Sequence, residues 1–351
     1  MNKDYIYPFL EDLQSRIDEK EEELIISQWK DYADGKATTY PFTATKRTAK
    51  PSKMQWEDFN INHALKSQDK MILSQFRLCS KILENGSNGV MQIRPNYGVG
   101  ILPSLYNVEM FIMPEKMNTL PNVKPFKNGL DDVAYWIDKG VPDLSNGFGA
   151  DVFEFTENIV EIFKDFPLLS KYIFFVHPDC QGPMDICELL WGSELFADMY
   201  DEPELVHALL AQISDTYEVF LDKWFKLANR PMGYHSFFNK LHKGNITVRD
   251  DSAMNMSKAF YEEFIGPYNQ RVLEHFDGGA IHFCGTGDHF ISSLSELPSV
   301  YGVDMSQPHL NNMDIILSNT VNKGLTLFSP ANTYLTDLNM DDYKTNFLYV
   351  K

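Results

Sequence analysis

His282 and Cys284 stand two residues apart in the stretch Ala280-Ile281-His282-Phe283-Cys284-Gly285. On an extended strand successive side chains alternate between faces, so this pair shares one face while Ile281 and Phe283 share the other. An imidazole nitrogen and a thiolate sulfur so placed can both reach one zinc ion, at about 2.0 to 2.1 Å and about 2.3 Å, and a catalytic zinc takes three protein ligands and keeps a fourth position open. The same two residues also suit a simpler role, a buried free cysteine beside a hydrogen-bonded histidine. The spacing supplies two ligands of a metal site and leaves the third unnamed.

Other chemistry-bearing residues recur where short apolar runs end. Arg94, Asn96 and Tyr97 follow one such run; His177, Asp179 and Gln181 follow the next. Arg249, Asp250 and Asp251 end another, Asp288 lies beyond Cys284, Asp304, Ser306 and Gln307 close the following run, and Ser329 and Asn332 the last. Arg249, Asp250 and Asp251 are the candidate catalytic residues, since neighbouring carboxylates beside an arginine can orient a cation, a water or a polar substrate. Arg94, Asn96, Tyr97, His177, Asp179, Gln181, Asp304 and Gln307 are candidates for holding substrate. Any one of them has a structural alternative, because aspartate and asparagine also cap helices. Their recurrence at successive run ends is what singles them out.

The elements that must carry these residues alternate. Continuous apolar runs such as Lys171-Tyr172-Ile173-Phe174-Phe175-Val176 read as strands buried on both faces, and each is followed by a helical pattern. In the longest of these Leu205, Leu209, Ile213, Tyr217, Phe220 and Trp224 recur at helical spacing, after Asp201 and Glu204 in a capping-box arrangement. A helix is also expected from Ser257 to Phe276. Strand-helix alternation calls for parallel strands with crossover helices, closed into a barrel or left as an open doubly wound sheet. No glycine-rich nucleotide-binding pattern follows any strand, which favours an α/β fold closed into a barrel. Residues 1–55 read as an N-terminal helical extension and connector, and residues 56–351 as the barrel.

The 351 residues are 44% hydrophobic and 23% charged, the profile of a folded chain. Their formal charge of -18 opposes a phosphate backbone and argues against nucleic-acid binding. The one basic run, Lys46 to Lys53, lacks aromatics and reads as a solvated connector. No apolar run approaches the roughly 18 residues of a membrane span, and the acidic start is unlike a signal core, so a cytoplasmic protein without a membrane partner is expected. Four cysteines in a chain this long do not form a disulfide framework.

Several stretches carry a family likeness. Residues 182–215, GPMDICELLWGSELFADMYDEPELVHALLAQISD, together with SKAFYEEFIGPYNQRVLEHF, AIHFCGTG and VYGVDMSQP, resemble the uroporphyrinogen decarboxylase superfamily, and more closely its corrinoid-linked methyltransferase branch than the true decarboxylases. The resemblance spans roughly residues 85 to 335 and implies a (β/α)8 barrel. The decarboxylases use no metal and carry an N-terminal Arg-Gln-Ala-Gly-Arg segment that grips carboxylates; the corresponding strand end here, Arg94-Pro95-Asn96-Tyr97-Gly98, has one arginine. The methyltransferases bind zinc through a His-x-Cys strand and a downstream cysteine. His282 and Cys284 match the first part, whereas no cysteine follows Cys284 and Ser329 occupies the expected region. For zinc to bind, Asp288, His289, Asp304 or Cys180 would have to supply the third ligand; otherwise the chain holds no zinc.

The resemblance therefore implies a zinc-dependent methyltransferase that takes a methyl group from a corrinoid or a corrinoid protein to a thiol or similar small-molecule acceptor. Two other functions stay open. One is a metal-free carboxy-lyase acting on uroporphyrinogen or another carboxylic acid, with Arg94 and Arg249 gripping carboxylates. The other is a non-catalytic barrel that binds a corrinoid or a partner.

Overall fold

The computed structural model describes residues 1–38, 41–328, 334–335 and 338–349. Ser329 and Asn332 lie outside the described residues. The fold is mixed α/β with parallel sheets, and the chain forms two compact units, each assembled from three segments. One comprises Met1–Ile26, Thr45–Cys180 and Val219–Arg230; the other comprises Ser27–Ala44, Gln181–Glu218 and Pro231–Lys351. Residues 1–55 are thus divided between the two.

In the first unit, strand β1 (Met91–Ile93) pairs in parallel with β4 (Ile173–Phe175), and a small antiparallel pair, β2 (Met110–Phe111) and β3 (Asn122–Val123), lies between them in sequence. Helix Gln68–Glu84 begins where the Ser67 side chain accepts from the Lys70 N–H and ends at Asn85 and Gly86, the latter at a φ of +61° that favours glycine. Met71, Ile72, Phe76, Cys79 and Leu83 form its buried face. The basic run at 46–53 departs from the solvated connector expected of it. Arg47 is buried, held by both oxygens of Glu22 at 2.6 and 2.7 Å and by the Ser87 and Gly89 carbonyls. A bidentate partner and two carbonyls satisfy a guanidinium that charge patterning alone would leave in water.

In the second unit, an antiparallel hairpin, β5 (Tyr234–Phe237) and β6 (Lys240–Lys243), precedes five parallel strands: β7 (Ile246–Arg249), β8 (Gly279–Phe283), β9 (Val300–Met305), β10 (Thr326–Phe328) and β11 (Leu348–Tyr349). Each of the four after β7 lies beside its predecessor in the chain. Strands β7 and β8 approach closely at their starts, since a Cβ on Gly279 would sit 1.9 Å from the Ile246 carbonyl oxygen. Strand β8 is buried at every position, as expected of a strand covered on both faces. The helix Glu19–Ala33 contributes Tyr32, whose buried hydroxyl donates to the Leu327 carbonyl at 2.8 Å and whose ring stacks on Phe42.

Two helices differ from the sequence reading. The long helix runs Pro203–Ala228, with Asp201 ending the preceding helix Leu195–Asp201, because Pro203 is the better first residue: its missing N–H costs nothing there. The expected helix Ser257–Phe276 is broken into Lys258–Phe260, a π turn Tyr261–Ile265, and Gly266–His275. Pro267 has no N–H to continue the α ladder, and the widened turn is the local solution.

Candidate metal centre

Register builds the site. His282 on β8 is level with Arg249 on β7 and with Asp304 on β9, and in a parallel sheet residues level with one another project to the same face. Three ends of parallel strands thereby bring a guanidinium, an imidazole and a carboxylate into one row. Just past these ends lie Asp251, Cys284 and Ser306.

His282 Nδ1 is 2.7 Å from Asp304 Oδ2, and both side chains are buried. Burial alone would raise the Asp304 carboxyl, but the Lys240 ammonium and the His282 ring outweigh it and hold the group well below the usual carboxylate range. An ionised carboxylate only accepts, so Nδ1 carries a proton and Nε2 faces the other way. There it meets Cys284 Sγ at 3.5 Å, Ser306 Oγ at 3.4 Å and Asp251 Oδ1 at 3.8 Å. Among the described residues, Asp251, His282 and Cys284 place one ligand atom each within 4.8 Å of one another. Asp251 is thus the candidate third donor. Asp304 serves the far side of the His282 ring, and the Asp288 carboxylate is engaged by the Asn312 N–H at 2.9 and 3.0 Å.

The turn that presents Asp251 is built on buried acids. Asp185 accepts the backbone N–H groups of Asp251 and Ser252 at 2.9 and 2.8 Å, and burial with the nearby charges of Asp251 and Asp250 pushes its carboxyl well up. Asp250 accepts from Asn269 at 2.8 and 2.9 Å and from the Tyr261 hydroxyl at 3.2 Å, while its N–H donates to the His282 carbonyl at 2.8 Å. Burial raises the Asp250 carboxyl to about 7. Asp251 itself is half-buried, yet its Oδ1 is shielded from solvent and has no hydrogen-bond partner. Burial also pushes the Cys284 thiol up to about 11, against the lowering by the Ser306 hydroxyl and with the nearby Asp251 carboxylate, through hydrogen bonding and charge, adding to the rise.

The remaining candidates fall into two groups. Gln307 belongs to the architecture of this site, accepting the Gly285 N–H at 2.6 Å and so fixing the turn after Cys284. The Arg249 guanidinium lies over the rings of Phe237 and Phe238, with centroids 5.2 and 5.8 Å away. Gln181 is buried with its amide nitrogen unpartnered. Arg94, Asn96, Tyr97, His177 and Asp179 belong to the other compact unit. In it Arg94 pairs with Asp179 at 3.2 Å and meets Asn96 at 3.4 Å, His177 Nδ1 lies 2.6 Å from the Pro178 carbonyl, and the buried Tyr97 ring rests against Phe148.

Sequence reasoning missed the hairpin and what it brings. Lys240 on β6 forms an ion pair with Asp304, and the Phe237 ring on β5 lies 5.2 Å from that of His282. The hairpin turn, Phe238 at a φ of +46° and Asn239 at +64°, needs positive φ at both positions, and phenylalanine at the first conceals it. Tyr261 and Asn269 were hidden likewise, since only the π turn and the strand-end geometry show what they hold.

An imidazole nitrogen, a sulfur and a carboxylate oxygen form a donor set that suits zinc or a similar borderline cation, with the carboxylate behind the histidine as its usual orienting partner. No helix among the described residues is long and apolar enough to cross a membrane. No protein-family model and no curated protein matches the chain, so its function is read from this geometry.

Proposed function

We propose that the chain is a cytoplasmic, zinc-dependent methyltransferase of the uroporphyrinogen decarboxylase superfamily, a (β/α)8 barrel that moves a methyl group from a corrinoid protein to a thiol or similar small acceptor. The observation that carries the metal is the convergence of Asp251, His282 and Cys284, three protein ligands with one position left for substrate. The fit is supported by the orphaned Asp251 Oδ1, a buried acceptor that a cation would satisfy, and by the orientation of the His282 ring, whose Nε2 faces the same point. Consecutive parallel strands from β7 to β11 support the barrel, because an open doubly wound sheet reverses its strand order.

When bound, zinc supplies a positive charge that favours the thiolate form of an acceptor thiol. The protein's part is to place it. Asp304 orients His282; Asp185 and Asp250 anchor the turn of Asp251; Gln307 fixes the turn after Cys284; and Arg249 adds positive charge at the row's edge. The decarboxylase reading draws less support, because the Arg94 guanidinium it needs is paired with Asp179.

Elemental analysis of purified chain after zinc loading tests the reading: about one zinc per chain is expected from the ligand count, and it should be lost in Cys284→Ala and His282→Ala. The loaded protein should consume methylcobalamin in the presence of a thiol. A chain that takes no metal, or that keeps its activity in Cys284→Ala, overturns it.

A further inference from the structure

Lys240 reaches the site from an element that the strand-end logic of the fold does not supply. Its side chain is 14% exposed and that of Asp304 5%, so this ion pair sits largely out of water. A lysine seldom gives up its hydration unless a partner compensates for it. The partner is the second oxygen of the carboxylate that orients His282: Oδ1 takes the ammonium while Oδ2 takes the imidazole Nδ1–H. Two donors on two oxygens fix the plane of the carboxylate and, through it, the direction of the ring. The same hairpin sets Phe237 against the His282 ring, at 5.2 Å between centroids.

We propose that Lys240 is a positioning residue for the metal site, holding Asp304 so that the His282 ring keeps Nε2 turned toward Cys284 and Asp251. This rests on the metal reading above. The hairpin thus takes part in metal binding without contributing a ligand. Outer partners of this kind commonly change metal affinity about 10- to 100-fold.

The test uses the full chain, stripped of metal and titrated with cobalt(II), whose thiolate and visible bands report the sulfur ligand and the coordination geometry. Wild type should bind with a thiolate band that is absent in Cys284→Ser. Lys240→Met should lower affinity about 10- to 100-fold and shift the visible bands, and Lys240→Arg, which keeps the charge, should recover most of both. Asp304→Asn should lose a similar amount, and the double variant no more than Asp304→Asn alone, because the two residues act in series. Lys240→Gln, kinder to folding, should also bind more weakly than wild type. Wild-type affinity and spectrum in both Lys240→Met and Lys240→Gln, or losses that simply add in the double variant, would overturn the positioning role while leaving the metal site standing. Absence of cobalt binding in wild type, or an unchanged thiolate band in Cys284→Ser, would overturn the metal reading and this role with it.

Discussion

Asp251 and His242 show how differently two polar residues can be buried in one unit. Asp251 presents an acceptor with nothing to accept, a cost that a bound cation would remove. Asp251→Asn should therefore weaken zinc binding about 10- to 100-fold, by analogy with other losses around metal sites, read by competition with a chromophoric chelator; unaltered affinity would remove Asp251 from the ligand set. His242 is fully satisfied as a neutral ring, between the Lys243 carbonyl at 2.9 Å and Thr247 Oγ1 at 2.8 Å. Burial lowers its pKa to about 4. A depressed imidazole stabilises the fold fully above the unfolded value and ceases to as pH falls through the folded one, since only the unfolded chain gains the proton. The loss between about pH 6.5 and about pH 4 amounts to about 3 kcal/mol. Asp250 works in the opposite sense, its raised carboxyl favouring the fold at low pH and losing that contribution as pH rises through about 7. The stability gap between wild type and His242→Gln, measured by urea unfolding, should thus shrink by about 2 kcal/mol on going from about pH 7 to about pH 4.5. A constant gap would mean that the ring is not held neutral.

At the scale of the element, the β5–β6 hairpin and the β7–β8 pair were read to different depths from sequence. The apolar runs of β7, β8 and β9 and the polar residues at their ends were legible, because strands buried on both faces leave a continuous signature. The hairpin was not, because its turn places phenylalanine where asparagine or glycine would announce it. Phe238 is 51% exposed with a positive φ, so its ring gains little from burial while its backbone is strained. Phe238→Asn should raise stability by about 1 kcal/mol in denaturant unfolding; a loss instead would show that stacking with Arg249 and Phe237 outweighs the strain. Gly279 is different. Its backbone touches that of Ile246, and the added methyl of Gly279→Ala must push two paired strands apart. A cost of about 3 kcal/mol or more is expected, visible as a lowered melting temperature, and a neutral variant would contradict the strand spacing.

For the whole molecule, the balance of 31 basic against 49 acidic residues dominates behaviour far from any site. Surface ion pairs such as Lys171 with Glu19 and Glu23 offset part of it locally, and the surplus remains as self-repulsion. Raising salt from about 10 mM to about 150 mM shortens the reach of that repulsion to about 8 Å, so the melting temperature should rise; a fall would show that local ion pairs matter more than net charge. The division into two discontinuous units was not legible, because each is assembled from segments far apart in the chain.

Sequence alone determined the chemistry on offer. The alternation of strand and helix, the His282 and Cys284 pair on one strand face, and the polar strand ends all follow from local periodicity and residue type, which each stretch expresses without its neighbours. Tertiary structure decided which of these groups meet. The register of β7, β8 and β9 sets Arg249, His282 and Asp304 in a row, and the turn after β7 brings Asp251 to Cys284. The hairpin adds Lys240 from a segment with no motif of its own. Pairing between strands is a relation among distant stretches, and no single one of them records it.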